Sequence, residues 1–393
     1  MKILQVIAYF SPKFGGDINV CSNLSKELAK GNHEVTIITS DFGFDSQYAN
    51  TIRDAGVEVI PFHCIAHYGL FLYTPSIKKW LQKNLKEFDI IHLHNYRSFQ
   101  NIVVRSYAIK YGIPYIMQAH GSVLRIVEKQ FLKNAFDLVW GYKILQNASK
   151  CIALTKTESD QYVRMGVPED RIVIIPNGLD LSQFSNLPEK GTFRLKYGIP
   201  DNEPVILYLG RIHKIKGIDL LIEAYSLILR ELPHARLVIA GPDDGDLSQI
   251  QERIQRLKIG RKPLITGLLF GREKLAAYVD ADVYVLPSIY EAFSNTVLEA
   301  WACGTPVIVT DSCAISPVVQ HAGLVVKRNP TELATAIKEL LTNESLRREY
   351  SKNGKLLVNS EFNIESMITK IERCYRQIVQ ANVEYRENEN LYY

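Results

Sequence analysis

The sequence has few cysteines and no long apolar run, and both shortages exclude common classes of protein. The six cysteines are scattered through 393 residues and form no CxxC pair, which argues against a zinc site and a disulfide framework. No stretch approaches the eighteen or more apolar residues of a membrane span. The first twelve residues resemble a buried strand more than a signal peptide. We therefore expect a protein of the reducing cytoplasm.

Two nucleotide-binding motifs are also absent. No G-x-G-x-x-G follows a predicted strand, which disfavours a dinucleotide-dependent oxidoreductase, and no GxxxxGK is present to support a nucleoside triphosphatase. The composition, with 47% hydrophobic and 22% charged residues, is that of an ordinary globular protein. The chain is long enough for roughly two to three domains.

What the sequence does contain is a repeated alternation of apolar strands and amphipathic helices. This alternation predicts an α/β fold with parallel sheets covered on both faces. Two series of strands and helices are separated by residues 182–204, which lack clear periodicity apart from a short helical piece at 193–197 and are expected to link two domains. We predict two doubly wound domains, 1–180 and 181–363, facing across a cleft. A final amphipathic helix over about 364–385 is expected to pack back on the first domain.

The stretch from Pro287 to Pro306 carries two glutamates close to a predicted helix start. If Asn295 is the N-cap, Glu299 lies one turn inside the helix and Glu291 lies in the preceding loop. Helix N-termini bind phosphate oxygens, and carboxylates beside them can accept hydrogen bonds from sugar hydroxyls. By itself such a pair is more often just favourable charge near a helix dipole.

A basic loop opens the second domain. Gly210 ends a strand, and Arg211 and Lys216 follow it in a loop that closes at Gly217. An arginine fork and a lysine ammonium together could neutralise a diphosphate without a metal. Ligands of parallel sheets bind beyond the carboxyl ends of the strands, so we expect this loop to face the same edge as Glu291 and Glu299.

The first domain has its own signals at strand ends. Gly15 and Gly16 follow the first strand, where they could let a ligand approach the backbone or simply form a tight turn. His120 follows a strand and precedes a glycine, and it is expected either to contact a ligand or to make a local hydrogen bond. His92 and His94 end another strand. They are expected to project to opposite faces and to be structural.

Cations and aromatic residues are mixed in two stretches of the first domain, 75–113 and 125–150. Their cations are Lys78, Lys79, Lys83, Lys86, Arg97, Arg105, Lys110, Arg125, Lys129, Lys133, Lys143 and Lys150; their aromatic residues include Trp80, Phe131, Phe136, Trp140 and Tyr142. The mixture suits peripheral contact with an anionic membrane on the cytoplasmic face, although a solvated helix face is the commoner explanation for such charges. The formal charge of the whole chain is only +4, and we expect no nucleic-acid partner.

Taken in order, the motifs resemble family 4 of the retaining glycosyltransferases. GRIHKIKG at 210–217 and EAFSNTVLEAWACGTPVI at 291–308 carry the resemblance, and FGG at 14–16, AHG at 119–121, IPNGLD at 175–180 and IAGPDDG at 239–245 support it. Ser294 stands where many members have glycine. The resemblance implies a GT-B fold of two Rossmann-like domains and a nucleotide diphosphate sugar as the donor substrate, with no further cofactor.

The resemblance also implies a role for each candidate residue. Glu299 would bind the ribose hydroxyls and Glu291 the donor sugar, while Arg211 and Lys216 would stabilise the departing diphosphate. The backbone N–H groups of Ser294, Asn295 and Thr296 would bind the phosphates. His120 would position the sugar, and Gly15 and Gly16 would let the first domain close on the phosphates.

The implied reaction is a metal-independent, retaining transfer of a hexose to a sugar, lipid-linked or protein acceptor, with uracil as the implied base. The Asp-x-Asp match Asp280-Ala281-Asp282 lies at a helix-to-strand turn away from the expected site. An epimerase or phosphorylase of the same fold, and a noncatalytic nucleotide-sugar-binding subunit, remain open as alternatives.

Overall fold

The structure is a computed structural model that describes residues 1–124 and 130–390, with side chains to residue 387. The described chain divides into two compact units. Unit 1 contains residues 1–178 together with the C-terminal helix from Ile364, and unit 2 contains residues 179–363. Arg125 and Lys129, which belong to the second predicted basic stretch, lie outside the described residues.

Each unit is built on a parallel sheet of short apolar strands. The strands are β1 Lys2–Val6, β2 Glu34–Ser40, β3 Glu58–Phe62, β4 Ala66–Tyr68, β5 Phe71–Tyr73, β6 Ile90–His94, β7 Tyr115–Gln118, β8 Lys150–Ala153, β9 Ile172–Ile174, β10 Val205–Leu209, β11 Arg236–Ala240, β12 Leu264–Gly267, β13 Val283–Leu286, β14 Val307–Thr310 and β15 Gly323–Val326. Unit 1 has the order β3-β2-β1-β6-β7-β8-β9, and unit 2 has the order β12-β11-β10-β13-β14-β15. The strands β4 and β5 form a separate antiparallel hairpin.

Helices connect the strands and cover the sheets. They are α1 Gly16–Lys30, α2 Ser46–Arg53, α3 Ile77–Asn84, α4 Phe99–Tyr111, α5 Gln130–Phe136, α6 Tyr142–Gln146, α7 Lys156–Arg164, α8 Thr192–Tyr197, α9 Ile218–Ile228, α10 Leu247–Arg256, α11 Gly271–Asp280, α12 Asn295–Cys303, α13 Ser316–Val319, α14 Pro330–Thr342, α15 Glu344–Ser360 and α16 Ile364–Asn390. A π-helical turn, Asp137–Gly141, joins α5 to α6. Because helices cover both faces, the strands read as nearly continuous apolar runs.

The last helix belongs to unit 1. Its apolar stripe, which includes Met367, Ile371 and Ile378, is buried with Ile3 and Leu24 in the core on one face of the sheet. This packing brings the buried Tyr375 under the centre of that sheet.

The predicted linker over 182–204 is wrong for most of its length. Phe193 is buried, and Arg194 is buried with its guanidinium bonded to the carbonyl oxygens of Pro200 and Glu203. The segment therefore packs within unit 2, and the chain passes between the units near Gly178. The helical piece predicted at 193–197 is confirmed as α8.

Both sheets have a switch point, a place where the strand order reverses direction. In unit 1 it lies between β1 and β6, and in unit 2 between β10 and β13. The loops that leave such neighbouring strands diverge, so their carboxyl ends form a crevice open to ligands. The candidate residues of each unit lie at these ends.

Candidate active site

In unit 2 the loops that follow β10 and β13 are joined to each other. The backbone N–H of Ile289 donates to the carbonyl oxygen of Ile215 at 2.8 Å. Gly217 has a φ of 65°, and a Cβ built on it would lie 2.1 Å from the carbonyl oxygen of Pro287. Glycine is therefore required at 217 both by conformation and by space, and the two loops pack as one layer.

One ion pair links these loops at their centre. The Lys216 ammonium contacts the Glu291 carboxylate, and both side chains are largely buried, at 17% and 16% exposed. The backbone of Glu291 is held as well, because its carbonyl oxygen accepts from the N–H of Ala314 at 2.8 Å. Lys216 and Glu291, to which the resemblance gives the diphosphate and the donor sugar respectively, thus neutralise each other.

Arg211 stands at the more exposed edge of the same loop. Gly210 is bonded through its N–H to the Ala240 carbonyl oxygen at 2.9 Å, and the buried Tyr208 hydroxyl donates to the Arg211 carbonyl oxygen at 2.8 Å. The Arg211 guanidinium pairs with Asp244 at 2.5 Å, and both side chains are more than 40% exposed. Asp244 lies in the loop after β11, a partner that the motif did not identify.

The helix α12 begins where the glutamate pair predicts, but the capping residue is different. Ser294 is the N-cap, with its hydroxyl accepting from the Val297 N–H at 3.3 Å, and Asn295 is the first helical residue. The predicted Asn295 cap is wrong by one position, since either side chain type suits an N-cap. The helix ends at Gly304, which has a φ of 82°.

A hydroxyl cluster fixes the first turn of α12 to the sheet. The Thr296 hydroxyl lies 2.9 Å from the Ser294 hydroxyl and 2.6 Å from that of Tyr284, whose oxygen is 3.2 Å from the Leu209 carbonyl oxygen. Burial raises the pKa of Tyr284 well above its ordinary value, as it does for Tyr208. Both phenols therefore stay protonated and can donate at any physiological pH.

Glu299 lies one turn into α12, as its spacing predicts, and its carboxylate has two partners on α11. The Lys274 ammonium lies 2.7 Å from Oε1, and the Tyr278 hydroxyl donates to Oε2 at 3.0 Å. Lys274 and Tyr278 are four residues apart and so share one helix face. Sequence reasoning did not identify them, because nothing in the periodicity of α11 shows which helix that face meets.

The Asp-x-Asp match has a structural role. Both carboxylate oxygens of Asp280 accept backbone N–H groups at the start of α8, from Gly191 at 2.5 Å and Phe193 at 2.7 Å. Asp282 accepts from Arg194 at 3.0 Å and from the Val205 N–H at 2.8 Å. These contacts lie at the opposite end of the strands from Glu291.

In unit 1 the glycines lie where the first strand passes into its helix. Gly15 is the N-cap of α1 and Gly16 is its first residue. Beside them the Asp17 carboxylate accepts from the Tyr9 hydroxyl at 3.1 Å and from the Asn95 amide at 2.8 Å. Asp17 and Asn95 are therefore part of this edge, although no motif marked either residue.

His120 follows β7, two residues after that strand ends, in a left-handed conformation with a φ of 52°. The loop around it is fixed by buried acceptors and donors: Gly121 donates its N–H to Glu158 at 2.6 Å, and the Ala119 N–H bonds to the Tyr162 hydroxyl at 2.9 Å. Such a conformation is uncommon for a residue with a Cβ and is typical of functional edges. His120 Nε2 lies 2.9 Å from His94 Nδ1.

The prediction that His92 and His94 project to opposite faces is wrong. Residues two apart in a strand share a face, and the two imidazole rings stack with centroids 4.3 Å apart. Both are fully buried. The expectation that they are structural stays a prediction, since His94 contacts a candidate site residue.

The two basic stretches are not uniform surfaces. Trp80 is partly buried against Phe62 and Phe88, and Phe136 is buried, so neither ring is freely exposed. Phe131 and Trp140 do face solvent. Among the described residues, no helix is long and apolar enough to cross a membrane.

Comparison with known families places both edges within matched regions. The family model described as Glycosyltransferase Family 4 matches residues 14–183, and the model described as Glycosyl transferases group 1 matches residues 189–357. Together these ranges cover most of the chain. They include every candidate site residue of the sequence.

Three similar proteins align with this chain over nearly its whole length. An uncharacterised glycosyltransferase of Methanocaldococcus jannaschii is 28% identical, with 96% of this chain and 98% of the relative aligned. Sucrose-phosphate synthase from Thermosynechococcus elongatus superposes with a TM-score of 0.76 at 25% identity, over 97% of this chain and all of that one. HepE from Anabaena, in complex with UDP and glucose, superposes with a TM-score of 0.81 at 18% identity, over 96% of this chain and all of that one. The chain therefore belongs to the family 4 glycosyltransferases and has their GT-B fold of two Rossmann-like units.

Proposed function

We propose that this glycosyltransferase moves a hexose from a nucleotide diphosphate sugar, with uridine as the nucleoside, to a hydroxyl acceptor, with retention of anomeric configuration and without a metal. The observation that carries the proposal is the joined pair of loops in unit 2, where Lys216 and Glu291 meet at the carboxyl ends of β10 and β13. Cations suited to a diphosphate and a carboxylate suited to sugar hydroxyls lie there together. The solved complexes of HepE with UDP and glucose support uridine as the nucleoside.

In this proposal the charged residues separate when the donor binds. Lys216 and Arg211 exchange Glu291 and Asp244 for diphosphate oxygens, and Glu291 is released toward the donor sugar. The attraction between the two cations and the diphosphate strengthens as the glycosidic bond breaks, because negative charge grows on the leaving diphosphate. This attraction therefore stabilises the transition state more than it stabilises the bound donor. Two cations thereby do the work that a metal ion does in other transferases.

The remaining candidates orient the donor. Backbone N–H groups at the start of α12, from Ser294 to Thr296, lie at the positive end of the helix dipole and suit phosphate. Glu299 accepts from the ribose hydroxyls, with Lys274 and Tyr278 holding its carboxylate in place. In unit 1, Gly15 and Gly16 leave the backbone accessible, and His120 offers a ring nitrogen to a sugar hydroxyl.

A donor screen by thermal shift and calorimetry tests the proposed donor. A ligand that binds only the folded protein stabilises it by about 2.7 kcal/mol at a hundred times its Kd, so a UDP-sugar should raise Tm more than the matching GDP- or ADP-sugar. The Glu299→Gln variant should bind UDP more weakly than wild type, whereas the surface variant Glu339→Gln serves as a control. A protein that no nucleotide sugar stabilises would contradict the proposal.

Product analysis tests the reaction type. With an acceptor present, the new glycosidic bond should keep the anomeric configuration of the donor, and transfer should persist in a chelator. An altered sugar nucleotide formed without acceptor would indicate an epimerase. Tight donor binding with no turnover across a wide acceptor panel would indicate a noncatalytic subunit.

A second proposal concerns the surface at which the protein binds its acceptor. The segment from α5 through the π-helical turn exposes Phe131 (81%), Leu138 (78%), Leu132, Val139 and Trp140, beside Lys133 and the exposed Lys143. Apolar side chains flanked by cations suit the interface of an anionic bilayer. We infer peripheral contact with a cytoplasmic membrane surface and a lipid-linked acceptor there.

Liposome sedimentation tests that contact. Wild type should sediment with anionic vesicles at low salt and less with neutral ones, and the double variant Phe131→Ser with Leu138→Ser should remain in the supernatant. Leu195→Ser is a matched control, since Leu195 is 87% exposed but lies in unit 2. Equal sedimentation of the double variant and wild type would exclude this surface.

A further inference from the structure

Five polar side chains form a continuous hydrogen-bonded chain inside unit 1, and His120 is its outer end. His120 Nε2 lies 2.9 Å from His94 Nδ1, and His94 Nε2 lies 2.7 Å from Gln5 Oε1. Gln5 Nε2 then lies 3.3 Å from the Tyr375 hydroxyl, which lies 2.6 Å from His92 Nδ1. All members except His120 are fully buried.

The three imidazoles of this chain are neutral near pH 7. Burial lowers the pKa of His92 to about 3 and that of His94 well below its ordinary value. Burial likewise lowers the pKa of His120 to about 4, against a smaller opposing effect of the Asp17 carboxylate. A neutral imidazole carries one N–H and one lone pair, so each ring has a definite tautomer.

The amide of Gln5 sets the direction of every bond in the chain. Its carbonyl oxygen can only accept, so His94 must carry its hydrogen on Nε2 and present a lone pair at Nδ1. The ring nitrogen of His120 that faces this lone pair must then donate. His120 therefore carries its hydrogen on Nε2.

The other end of the chain fits the same direction. The Gln5 amide nitrogen donates to the Tyr375 oxygen, and the Tyr375 hydroxyl hydrogen is then available to His92 Nδ1. If the amide were reversed, every donor and acceptor up to His120 would reverse with it. The Tyr375 hydroxyl, on the last helix, can both donate and accept, so it does not select a direction by itself. It couples the orientation of the Gln5 amide to the lone pair on His92 Nδ1.

We propose that Gln5, His94 and Tyr375 are positioning residues that fix His120 as the Nε2–H tautomer, so that Nδ1 meets the substrate as a hydrogen-bond acceptor. No described residue forms a hydrogen bond with Nδ1. The lone pair on His120 Nδ1 can accept a hydrogen bond from a sugar hydroxyl. Only the identification of the ligand as a sugar rests on the proposed function. The left-handed backbone of His120 and the bond from Gly121 to Glu158 keep the ring at the strand end.

The tautomer is measured directly by NMR on the full chain without ligand. Protein labelled with 15N-histidine should show a non-protonated Nδ1 and a protonated Nε2 for His120 at neutral pH, with the signals assigned by their loss in His120→Gln. A protonated Nδ1 in wild type overturns the proposal. The measurement needs no sugar transfer, so its failure leaves the transferase proposal intact, and an inactive protein leaves the tautomer testable.

A matched pair of tyrosine variants tests the positioning role. Tyr375→Phe frees the Gln5 amide to reverse, and we expect both tautomers of His120 and a kcat about tenfold lower, which corresponds to about 1.4 kcal/mol. Tyr115→Phe is the control, because it removes another buried hydroxyl of unit 1 that is not a member of the hydrogen-bonded chain. The Tyr115 hydroxyl donates to the Ile144 carbonyl oxygen at 2.6 Å. Equal effects of the two variants on the tautomer and on kcat would overturn the proposal.

Two variants at His94 test whether a conservative replacement preserves the His120 tautomer. His94→Gln keeps an amide oxygen that can accept from His120 Nε2, whereas His94→Leu leaves that nitrogen without an acceptor. We expect His94→Gln to retain the wild-type tautomer and more of the wild-type kcat than His94→Leu. Loss of kcat to the same extent in both, with His120 in the same tautomer in both, would contradict the assignment.

Discussion

The two units share an architecture but hold their candidate residues by different kinds of interaction. In unit 1 the candidate His120 is joined to Tyr375 by hydrogen bonds through neutral, buried side chains. In unit 2 the equivalent edge carries ion pairs, from the largely buried Lys216–Glu291 pair to the exposed Arg211–Asp244 pair. A neutral hydrogen-bonded chain has no net charge to desolvate, so it can be buried completely, whereas the ion pairs of this edge of unit 2 keep part of their surface exposed.

The difference indicates what each edge can do. Hydrogen bonds in a buried chain fix orientation, because reversing one member reverses the others. Ion pairs at a surface are exchangeable, because an anionic ligand can replace the carboxylate partner of a lysine or arginine. The edge of unit 1 is therefore suited to orienting a ligand, and the edge of unit 2 is suited to binding an anionic ligand.

Removing the central cation of unit 2 should have the largest effect. Lys216→Ala should lower the transfer rate by about 10²–10³, the typical loss for one group that stabilises developing charge, while circular dichroism stays native. Glu291→Ala should also lower it by orders of magnitude. Steady-state kinetics measure both, and the exposed Lys214→Ala, in the same turn, is the control. Unchanged rates in the Lys216 and Glu291 variants would remove the assignment.

Acidic pH should destabilise unit 1, because its hydrogen-bonded series of side chains contains buried, neutral histidines. Unfolded histidines bind protons below about pH 6.5, but burial keeps His120 unprotonated to about pH 4 and His92 to about pH 3. The unfolded state then binds more protons, so the contribution of these histidines to the free energy of unfolding should be fully present above about pH 7 and fall by several kcal/mol as the pH drops toward 4. Hydrogen exchange followed by mass spectrometry can assign the loss to unit 1. A flat profile would show that these histidines titrate normally.

Separating the two loops of unit 2 should destabilise the protein less than acid does. Gly217→Ala places a Cβ against the Pro287 carbonyl oxygen at a φ of 65°, and we expect a loss of about 2–3 kcal/mol together with weaker donor binding. Gly245→Ala is the control, since its φ is also positive, at 95°, but no atom lies within 4 Å of the added Cβ. Its expected cost is about 1 kcal/mol. Chemical denaturation distinguishes the variants, and equal costs would mean that the contact with Pro287 is unimportant.

The smallest effect is expected at the exposed ion pair. Asp244→Asn should change the free energy of unfolding by less than about 1 kcal/mol, because both partners are more than 40% exposed. UDP affinity should change by less than about tenfold, since Arg211 keeps its charge. Scanning calorimetry measures the change in stability and titration calorimetry measures the UDP affinity, each at low and high salt. A larger loss of affinity would mean that Asp244 orients Arg211 for the ligand.

Much of the site could be predicted because the residues that form it are close in sequence. Ser294, Asn295 and Glu299 lie within one helix start, and Arg211 and Lys216 within one loop, so strand and helix periodicity brings them to the same edge. The cap was misplaced by one residue, because serine and asparagine both suit that position. The partners Lys274, Tyr278 and Asp244 could not be predicted, since each comes from another strand–helix unit.

The sequence by itself determined the alternating elements, the two-unit α/β class and the identity of the charged residues at the strand ends, because local periodicity and turn chemistry are written in neighbouring residues. The tertiary structure alone decided that segment 182–204 packs into unit 2, that Lys216 pairs with Glu291, and that α16 carries Tyr375 to Gln5 and His92. These outcomes depend on contacts between residues far apart in the chain. Only packing selects such contacts, since the burial that stabilises them is nondirectional and leaves no spacing in the sequence.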